Sequence, residues 1–359
     1  MAFDALLVLS FGGPEAPAEV RPFLENVVRG RGVPPERLDA VEEHYRHFGG
    51  VSPLNARNRE LIAAVRERTP LPVYFGNRNW HPMVEDTVAE MARDGVRRAL
   101  VFPTSAYGGY SACRQYHEDI ARARAAVGED APELVKLRHF FDHPAFVAAN
   151  ADAVRAALAT LPESRRATAR LVFTAHSVPT AADAAAGIPQ DGGHRYSRQV
   201  TEAARLVADD LGIEGYDVVW QSRSGPPRIP WLAPDIVDHL DALHADGVTA
   251  VVVAPVGFVS DHVEVIWDLD TEARERADEL GMAFARAAMA GPDPRFADMV
   301  VELVAEHVHD AAPRALSADV PSAGCTVNGL PCAVDCCVPA RRPSQDVARE
   351  TVTTAVRPG

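Results

Sequence analysis

The chain has 359 residues, more than one typical domain, and its 47% hydrophobic and 24% charged residues are typical of a globular protein. Its 36 basic residues against 50 acidic ones give a net charge of −14. This acidic balance argues against nucleic acid or an anionic membrane surface as a partner. An anionic ligand would therefore need a local group of basic side chains.

No apolar run reaches the roughly 18 residues that a membrane span needs. Residues 1–6 enter a strand-like segment without the basic region and cleavage site of a secretory leader. We therefore expect a cytoplasmic protein without a membrane span, and we expect a monomer.

Short apolar runs alternate with amphipathic stretches along the chain. The predicted strands lie near 5–11, 72–75, 98–103, 134–138, 170–175, 217–220, 249–255 and 282–286. The predicted helices include 57–68, 83–94, 144–160, 234–245 and 262–281. Strands that are apolar throughout are typical of parallel sheets covered on both faces. The sequence therefore predicts two similar doubly wound, Rossmann-like α/β domains, each with a parallel four-stranded sheet flanked by helices.

The predicted boundary between these domains lies before Pro144, a residue suited to the first turn of a helix. We expect an N-terminal domain over 1–143, a second domain over 144–315, and a tail over 316–359 that ends in a helix over 344–355. The tail has no apolar core of its own and would need attachment to the rest. Because the chain has neither a phosphate-binding P-loop nor a G-x-G-x-x-G sequence after a strand, nothing predicts a nucleotide.

Polar residues follow several predicted strands at the edge where open parallel sheets bind ligands. His176 ends one strand, and Glu264 lies beyond the strand at 249–255, so a cleft could bring the two together. A single histidine in such a place is more often structural.

Three carboxylates, Glu264, Asp268 and Glu272, recur every four residues. On an α-helix they would form one acidic row about 12 Å long. A solvated helix face is the simpler interpretation. Because no Lys or Arg lies over 261–272, the like charges repel, and a divalent cation would relieve that repulsion.

Basic and hydroxyl side chains surround a glycine-rich turn at 49–50 and would suit an anionic ligand. They are Arg29, Tyr45, Arg46 and Ser52.

The five cysteines have an unusual distribution. Cys113 stands alone, whereas Cys325, Cys332, Cys336 and Cys337 lie within 13 residues. Because disulfides are rare in the cytoplasm, this grouping favours metal binding.

Taken together, the sequence resembles the ferrochelatase family over nearly its whole length, and five motifs in the family's order carry the resemblance. They are Leu9-Ser10-Phe11-Gly12-Gly13-Pro14, Phe48-Gly49-Gly50-Val51-Ser52-Pro53-Leu54, His176-Ser177-Val178-Pro179, Trp220-Gln221-Ser222-Arg223 with Pro230-Trp231-Leu232, and Phe258-Val259-Ser260-Asp261-His262-Val263-Glu264.

The resemblance implies a chelatase-type fold and roles for particular residues. His176 and Glu264 match the family's inward-facing catalytic pair, and Asp268 and Glu272 match its acidic row, so all four are expected to meet the metal. The residues matching the region that holds porphyrin propionates are Arg29, Tyr45, Arg46, Ser52 and Tyr116. Some bacterial members carry tyrosine at the position of Phe11, whose ring has no oxygen to bind metal.

The resemblance also implies a 2Fe–2S cluster, because some members bind one through an internal cysteine and a cysteine-containing tail. The matching residues are Cys113, Cys325, Cys332 and Cys337, with Cys336 as a competitor for the last position. A zinc site or free thiols are the alternatives.

The activity implied is insertion of ferrous iron, as substrate, into coproporphyrin III to form coproheme in haem biosynthesis, as in the Gram-positive branch of the family. Protoporphyrin IX is the alternative substrate. A related chelatase for cobalt or nickel, or a non-catalytic haem- or iron-responsive binding protein, is a further alternative.

Overall fold

The computed structural model describes residues 2–30, 32–225 and 228–338. It contains two sheets, one formed mainly by each half of the chain, and this confirms the predicted doubly wound α/β class. The helix predicted over 344–355 lies outside the described residues. The predicted domain limits stay a prediction. No helix in the described residues is long and apolar enough to cross a membrane.

The first sheet contains the four predicted strands and one more. Its strands are β1 (Ala5–Ser10), β2 (Val73–Asn77), β3 (Arg98–Pro103), β4 (Glu133–Lys136) and β9 (Thr326–Val327). In the order β2-β1-β3-β4-β9, the first four are parallel and β9 is antiparallel. Leu6 and Val8 of β1 enter one apolar cluster, and Leu7 and Leu9 enter another. Both faces of the sheet are therefore covered, which explains the unbroken apolar runs.

The second sheet is wholly parallel, as predicted. Its strands are β5 (Arg170–His176), β6 (Tyr216–Gln221), β7 (Ala250–Ala254) and β8 (Ala283–Arg286). They pair in the order β6-β5-β7-β8. Because β5 is central, its carboxyl end opens between two neighbouring strands, the usual place for a ligand in such sheets.

Helices connect the strands. They are α1 (Val20–Val27), α2 (Pro35–His47), α3 (Leu54–Arg66), α4 (Val84–Arg93), α5 (Gln115–Val127), α6 (Pro144–Thr160), α7 (Glu163–Arg166), α8 (Thr180–Ala184), α9 (Arg195–Leu211), α10 (Ile236–Ala245), α11 (Val263–Ile266), α12 (Arg274–Glu279) and α13 (Pro294–Val308). Pro144 stands at the first position of α6, as predicted, and His143 accepts a hydrogen bond from the Ala145 N–H there.

The helix predicted over 262–281 is interrupted. Between α11 and α12 the chain winds as a π-helix over Trp267–Ala273, and a second π-helical segment covers Tyr110–Arg114. A π-helix bonds residues five apart, is rare, and often occurs at functional sites. Both segments contain residues of the predicted sites.

Helix α13 belongs by sequence to the second half but packs against α3 and α6. Phe296 in its first turn is fully buried, and its ring centroid lies 6.1 Å from that of Phe102 in β3 and 5.8 Å from that of Phe140. One apolar cluster therefore joins this helix to the first sheet.

The cysteine-containing tail is attached to the first sheet through β9. Thr326 lies opposite Lys136, and Val327 lies opposite Val135. The Asn328 side chain accepts a hydrogen bond from the Leu134 N–H at 2.9 Å. These contacts provide the attachment that the lack of an apolar core predicts for the tail.

Candidate active site

His176 is the last residue of β5 and lies opposite Gln221, the last residue of β6. Its Nδ1 is 2.5 Å from the carbonyl oxygen of Ser177. Because a carbonyl can only accept, Nδ1 carries the proton, and neutral imidazole then has its lone pair on Nε2. The side chain thus offers Nε2 as a base or as a metal ligand.

Glu264 faces that nitrogen. The distance between His176 Nε2 and Glu264 Oε1 is 3.8 Å. The two side chains are 33% and 48% exposed, so the pair lies in an open cleft rather than in a sealed core. The structure thus brings together the two residues for which the sequence predicts a shared cleft.

The two groups shift each other's titration. Burial lowers the pKa of His176, but the contact with Glu264 and its charge outweigh burial and raise that pKa overall. Burial raises the pKa of Glu264, but contact with His176 outweighs it and lowers that pKa overall. Glu264 therefore stays ionised and stabilises a proton that His176 takes up.

Asp268 lies on the π-helical segment and is bonded to the end of β6. Its Oδ2 accepts hydrogen bonds from Gln221 Nε2 at 3.2 Å and from the Ser222 hydroxyl. Ser222 has a φ of +63°, a left-handed conformation that residues other than glycine seldom adopt. Burial, together with the charges of Glu264 and Glu272, raises the pKa of Asp268 to about 7. This carboxyl group can therefore exchange a proton near neutral pH.

Glu272 is exposed, and its Oε1 accepts a hydrogen bond from Trp267 Nε1 at 2.8 Å. The acidic row thus differs from the stripe predicted for an α-helix. Glu264 lies in α11, while Asp268 and Glu272 lie in the π-helical segment. The charges of Glu264 and Glu272 both act on Asp268, so the three carboxylates lie near one another although they belong to two kinds of helix.

The residues predicted to hold propionates differ in burial and in the elements that they contact. Tyr45 is buried, packs in one cluster with Val263 beside Glu264, and the charge of Glu264 adds to burial in raising its pKa. Ser52 is buried, and its N–H donates to the carbonyl of Pro14 at 2.8 Å. Tyr45 is thus close to the catalytic pair, while Ser52 lies against the loop that follows β1.

Arg29 and Arg46 are both exposed. The Arg46 guanidinium pairs with Glu42 at 2.7 Å and with Glu43 at 2.6 Å. A propionate at this position would therefore compete with two carboxylates of the same helix.

Tyr116 lies in the first turn of α5. Its ring is 4% exposed, packs in the cluster on the outer face of the first sheet, and lies under the Arg78 guanidinium at 4.3 Å. The ring is thus enclosed between that cluster and Arg78, and the role of Tyr116 as a propionate contact stays a prediction.

Phe11 lies after the end of β1 and is 39% exposed, with its ring edge against Phe23. It contributes apolar surface and, as the sequence indicates, no metal ligand.

The cysteine region offers thiols beside a buried cation. Lys136 is 1% exposed and donates from Nζ to the carbonyl of Gly324 at 2.9 Å. Burial raises the pKa of Cys113, and the Lys136 charge offsets part of that rise. A buried cation is stabilised by a nearby anion, so thiolates here would be matched by Lys136. Gly324 has a φ of +92°, and a Cβ there would lie 2.5 Å from His139 Nε2 and 3.2 Å from Cys113 Sγ, so glycine is required at this position.

The competing cysteines differ in their surroundings. Cys337 Sγ accepts a hydrogen bond from the Gly187 N–H at 3.1 Å, and hydrogen bonding from Cys336 lowers the pKa of Cys337. Hydrogen bonds to Cys332 and Cys337 raise the pKa of Cys336. Hydrogen bonding from Cys336 also lowers the pKa of Cys332, so Cys332 and Cys337 lose a proton more readily than Cys336.

Among residues 2–30, 32–225 and 228–338, no group of three or more His, Cys, Asp or Glu side chains is arranged to hold one metal ion. A cluster of two irons divides four thiolates between them, so it does not need three ligands around a single point. The donor types and the buried cation fit such a cluster.

Some residues of the site were not singled out individually by sequence analysis. Gln221 and Ser222 belong to a motif that was recognised, but their bonds to Asp268 were not predicted. Trp267 and His44 stack with ring centroids 3.8 Å apart. In the sequence, the available signal for Trp267 was its position as a large aromatic residue between the carboxylates of Glu264 and Asp268.

The fold is of the chelatase type. It resembles the structure of SirB from Bacillus subtilis with Fe3+ at a TM-score of 0.53 and 13% identity, covering 85% of this chain and 96% of that one. At this identity the likeness concerns the fold alone.

The chain belongs to the ferrochelatase family, whose model matches residues 3–308. It is 68% identical over 349 residues to the coproporphyrin III ferrochelatase of Nocardia farcinica, covering 96% of this chain and 99% of that protein. It is 60% identical over 343 residues to the enzyme of the same name from Mycolicibacterium smegmatis, covering 94% and 99%. The family that the motifs predict is thereby confirmed.

Proposed function

We propose that the chain inserts ferrous iron into coproporphyrin III and forms coproheme in haem biosynthesis. Membership of the ferrochelatase family supports the reaction, and the relatives named coproporphyrin III ferrochelatase support the porphyrin. The observation that carries the proposal is the His176–Glu264 pair, with Nε2 and Oε1 3.8 Å apart in an open cleft. Protoporphyrin IX is the alternative substrate.

Metallation replaces two pyrrole N–H protons with one divalent ion, so the site needs a base. Neutral His176 holds its proton on Nδ1 against the Ser177 carbonyl and accepts a pyrrole proton on Nε2. The imidazolium formed there is stabilised by Glu264, which its lowered pKa keeps ionised.

The second proton and the incoming ion involve the acidic residues. With a pKa of about 7, Asp268 can take up a proton near neutrality while Gln221 and Ser222 hold its carboxyl group in place. Carboxylate and imidazole are both ligands for ferrous iron. Glu272, Asp268 and Glu264 would thus replace parts of the hydration shell as iron approaches the porphyrin.

Coproporphyrin III has four propionates, and charge-assisted hydrogen bonds to them would supply affinity. The donors we propose are Arg29, Tyr45, Arg46 and Ser52. A net charge of −14 gives no long-range attraction to such an anion, so these local contacts are required. For Tyr116 to join them, the packing under Arg78 would have to open.

We further propose that Cys113, Cys325, Cys332 and Cys337 hold a 2Fe–2S cluster. When bound, the cluster would cross-link the tail to the first sheet and supply a one-electron redox centre. The position of Lys136 supports thiolates in this region. The different pKa directions of Cys336 and Cys337 support Cys337 as the last ligand. The cytoplasmic location and the monomeric state stay predictions.

The test is steady-state metallation of each porphyrin by the purified full chain, under anaerobic, detergent-free conditions. Porphyrin fluorescence is followed after addition of Fe2+, and Zn2+ serves as an air-stable second metal. The His176→Ala protein is the control, and its rate gives the metal insertion that does not depend on the active site. We expect a higher kcat/KM for coproporphyrin III.

A preference for protoporphyrin IX would overturn the substrate and leave the chelatase reaction intact. Metallation no faster than with His176→Ala, for both porphyrins and both metals, would overturn the reaction itself.

A further inference from the structure

Trp267 has no part in the chemistry above, yet it touches two elements of the site. It begins the π-helical segment that carries Asp268 and Glu272. Its indole Nε1 donates to Glu272 Oε1 at 2.8 Å. The His44 ring, from the last turn of α2, stacks on the indole with centroids 3.8 Å apart and planes 8° from parallel. One indole thus connects α2 to the outer carboxylate of the acidic row.

The π-helical winding is what allows this bond. In an α-helix, neighbouring side chains on one face are three or four positions apart. Trp267 and Glu272 are five apart, the spacing at which a π-helix forms its hydrogen bonds. Wound as an α-helix, the same sequence would separate the indole from the carboxylate.

The bond restricts a side chain that would otherwise be mobile. Glu272 is exposed, and an exposed glutamate samples many rotamers, so binding an ion would require it to be ordered at that moment. An indole N–H occupies one acceptor position and leaves Oε2 available to a cation. The indole is itself held by His44, and His47 adds an edge contact with centroids 5.6 Å apart.

We propose that Trp267 is a positioning residue that fixes Glu272 for the incoming divalent ion, with His44 holding the indole in place. This inference rests on the proposed function, because it assigns Glu272 to metal approach. It concerns the metal and not the porphyrin, so the two Michaelis constants should respond differently.

The first test is Trp267→Phe, which keeps a ring for His44 to stack on and removes the N–H. We expect the KM for Fe2+ to rise about tenfold, the lower range of effects for groups that orient metal ligands. The KM for coproporphyrin III should not change. An unchanged metal KM in a folded protein, judged by near-ultraviolet circular dichroism, would overturn the inference.

A double-mutant cycle tests whether Trp267 acts through Glu272. Glu272→Gln should weaken metal use by a similar factor, and adding Trp267→Phe to it should have no further effect. Glu275→Gln, which removes an exposed carboxylate three positions on, is the control for general loss of charge. Additive effects of the first two changes would contradict a shared action.

The stack is tested by comparing two substitutions of one residue. His44→Phe keeps a ring against the indole and should keep the metal KM, whereas His44→Ala should raise it. Equal effects of the two variants would remove His44 from the inference.

A binding measurement separates this inference from the proposed function. Mn2+ alone prefers oxygen ligands and so reports on the carboxylates rather than on the cysteines. We expect Trp267→Phe to weaken Mn2+ binding, followed by electron paramagnetic resonance, by a factor similar to that in KM. If the wild type binds Mn2+ but metallates neither porphyrin, the proposed function fails. If Trp267→Phe binds Mn2+ as tightly as the wild type, the inference fails.

Discussion

The tautomer of neutral His176 depends on a single backbone contact. The Ser177 carbonyl fixes the proton on Nδ1 and leaves the Nε2 lone pair for either the pyrrole proton or the iron, so no other group is needed to select the tautomer. Glu264 Oε1 lies 3.8 Å from Nε2, close enough to stabilise a positive charge on the imidazole ring.

His176→Ala should lower kcat for both Fe2+ and Zn2+ by about 10²–10⁴-fold, the usual contribution of a positioned base. The fold should be retained because the side chain is partly exposed at the end of a strand. Wild-type turnover by a folded His176→Ala protein would remove this residue from the mechanism.

Asp268 links the site to stability. Its pKa is raised by burial, so the native state binds its proton more tightly than the unfolded chain, whose value is near 3.8. This stabilisation is complete below about pH 4 and is lost as the pH rises through about 7. At higher pH the folded protein holds an ionised Asp268 that is buried beside two other carboxylates, which is unfavourable.

Asp268→Asn should therefore raise the melting temperature at pH 8 by about 2–4 °C and by clearly less at pH 5, which is closer to the pKa in the unfolded chain. The amide oxygen still accepts hydrogen bonds from Gln221 and Ser222, so the change mainly removes the charge. Melting curves of both proteins across pH 5–8 measure this. The same shift at every pH would contradict the assigned titration.

At the scale of the elements, the strands were predictable and the winding of one helix was not. Buried parallel strands leave a simple apolar signature, and polar residues at their carboxyl ends identified His176 and Glu264. The π-helical segment has no such signature, because a row repeating every four residues suits an α-helix. Strand β9 has two residues and pairs with a strand nearly 200 positions earlier, which no local pattern reveals.

Tyr116 illustrates a different limit of the sequence. Its position corresponds to the family's propionate-holding region, but the depth of its ring depends on Arg78, which comes from a distant segment and stacks over it. Burial of this kind is a tertiary property and does not appear in spacing.

Helix α13 should be essential to the core. Phe296→Ala should lower the free energy of unfolding by about 3–5 kcal/mol, because it leaves a cavity among Phe102, Phe140 and Phe146. Val308→Ala, at the exposed end of the same helix, should change it by less than about 0.5 kcal/mol. Denaturant unfolding compares the two, and equal effects would show that the cluster is not the main contact of this helix.

For the whole molecule, the tail and the first sheet should depend on each other through the cysteines. We expect red-brown protein with iron and sulfide in equal amounts. Cys113→Ser and Cys337→Ser should lose the colour and melt at a lower temperature, because metal binding is coupled to folding. Cys336→Ser is the matched control and should keep both.

Two outcomes would count against this assignment. Colourless protein with one zinc per chain would replace the cluster with a zinc site. If Cys337→Ser keeps the colour and Cys336→Ser loses it, the last cluster ligand is Cys336 and not Cys337.

The short strand β9 also bears on how the protein behaves at high concentration. A sheet edge with free backbone groups can recruit a strand from another molecule and begin aggregation. The outer edge of β4 is covered by only two residues, Thr326 and Val327, and the chain leaves the sheet directly after them. Such an edge is too short to act as a template for a further strand. The segment that carries the cysteines therefore also protects this edge of the first sheet against association with another molecule.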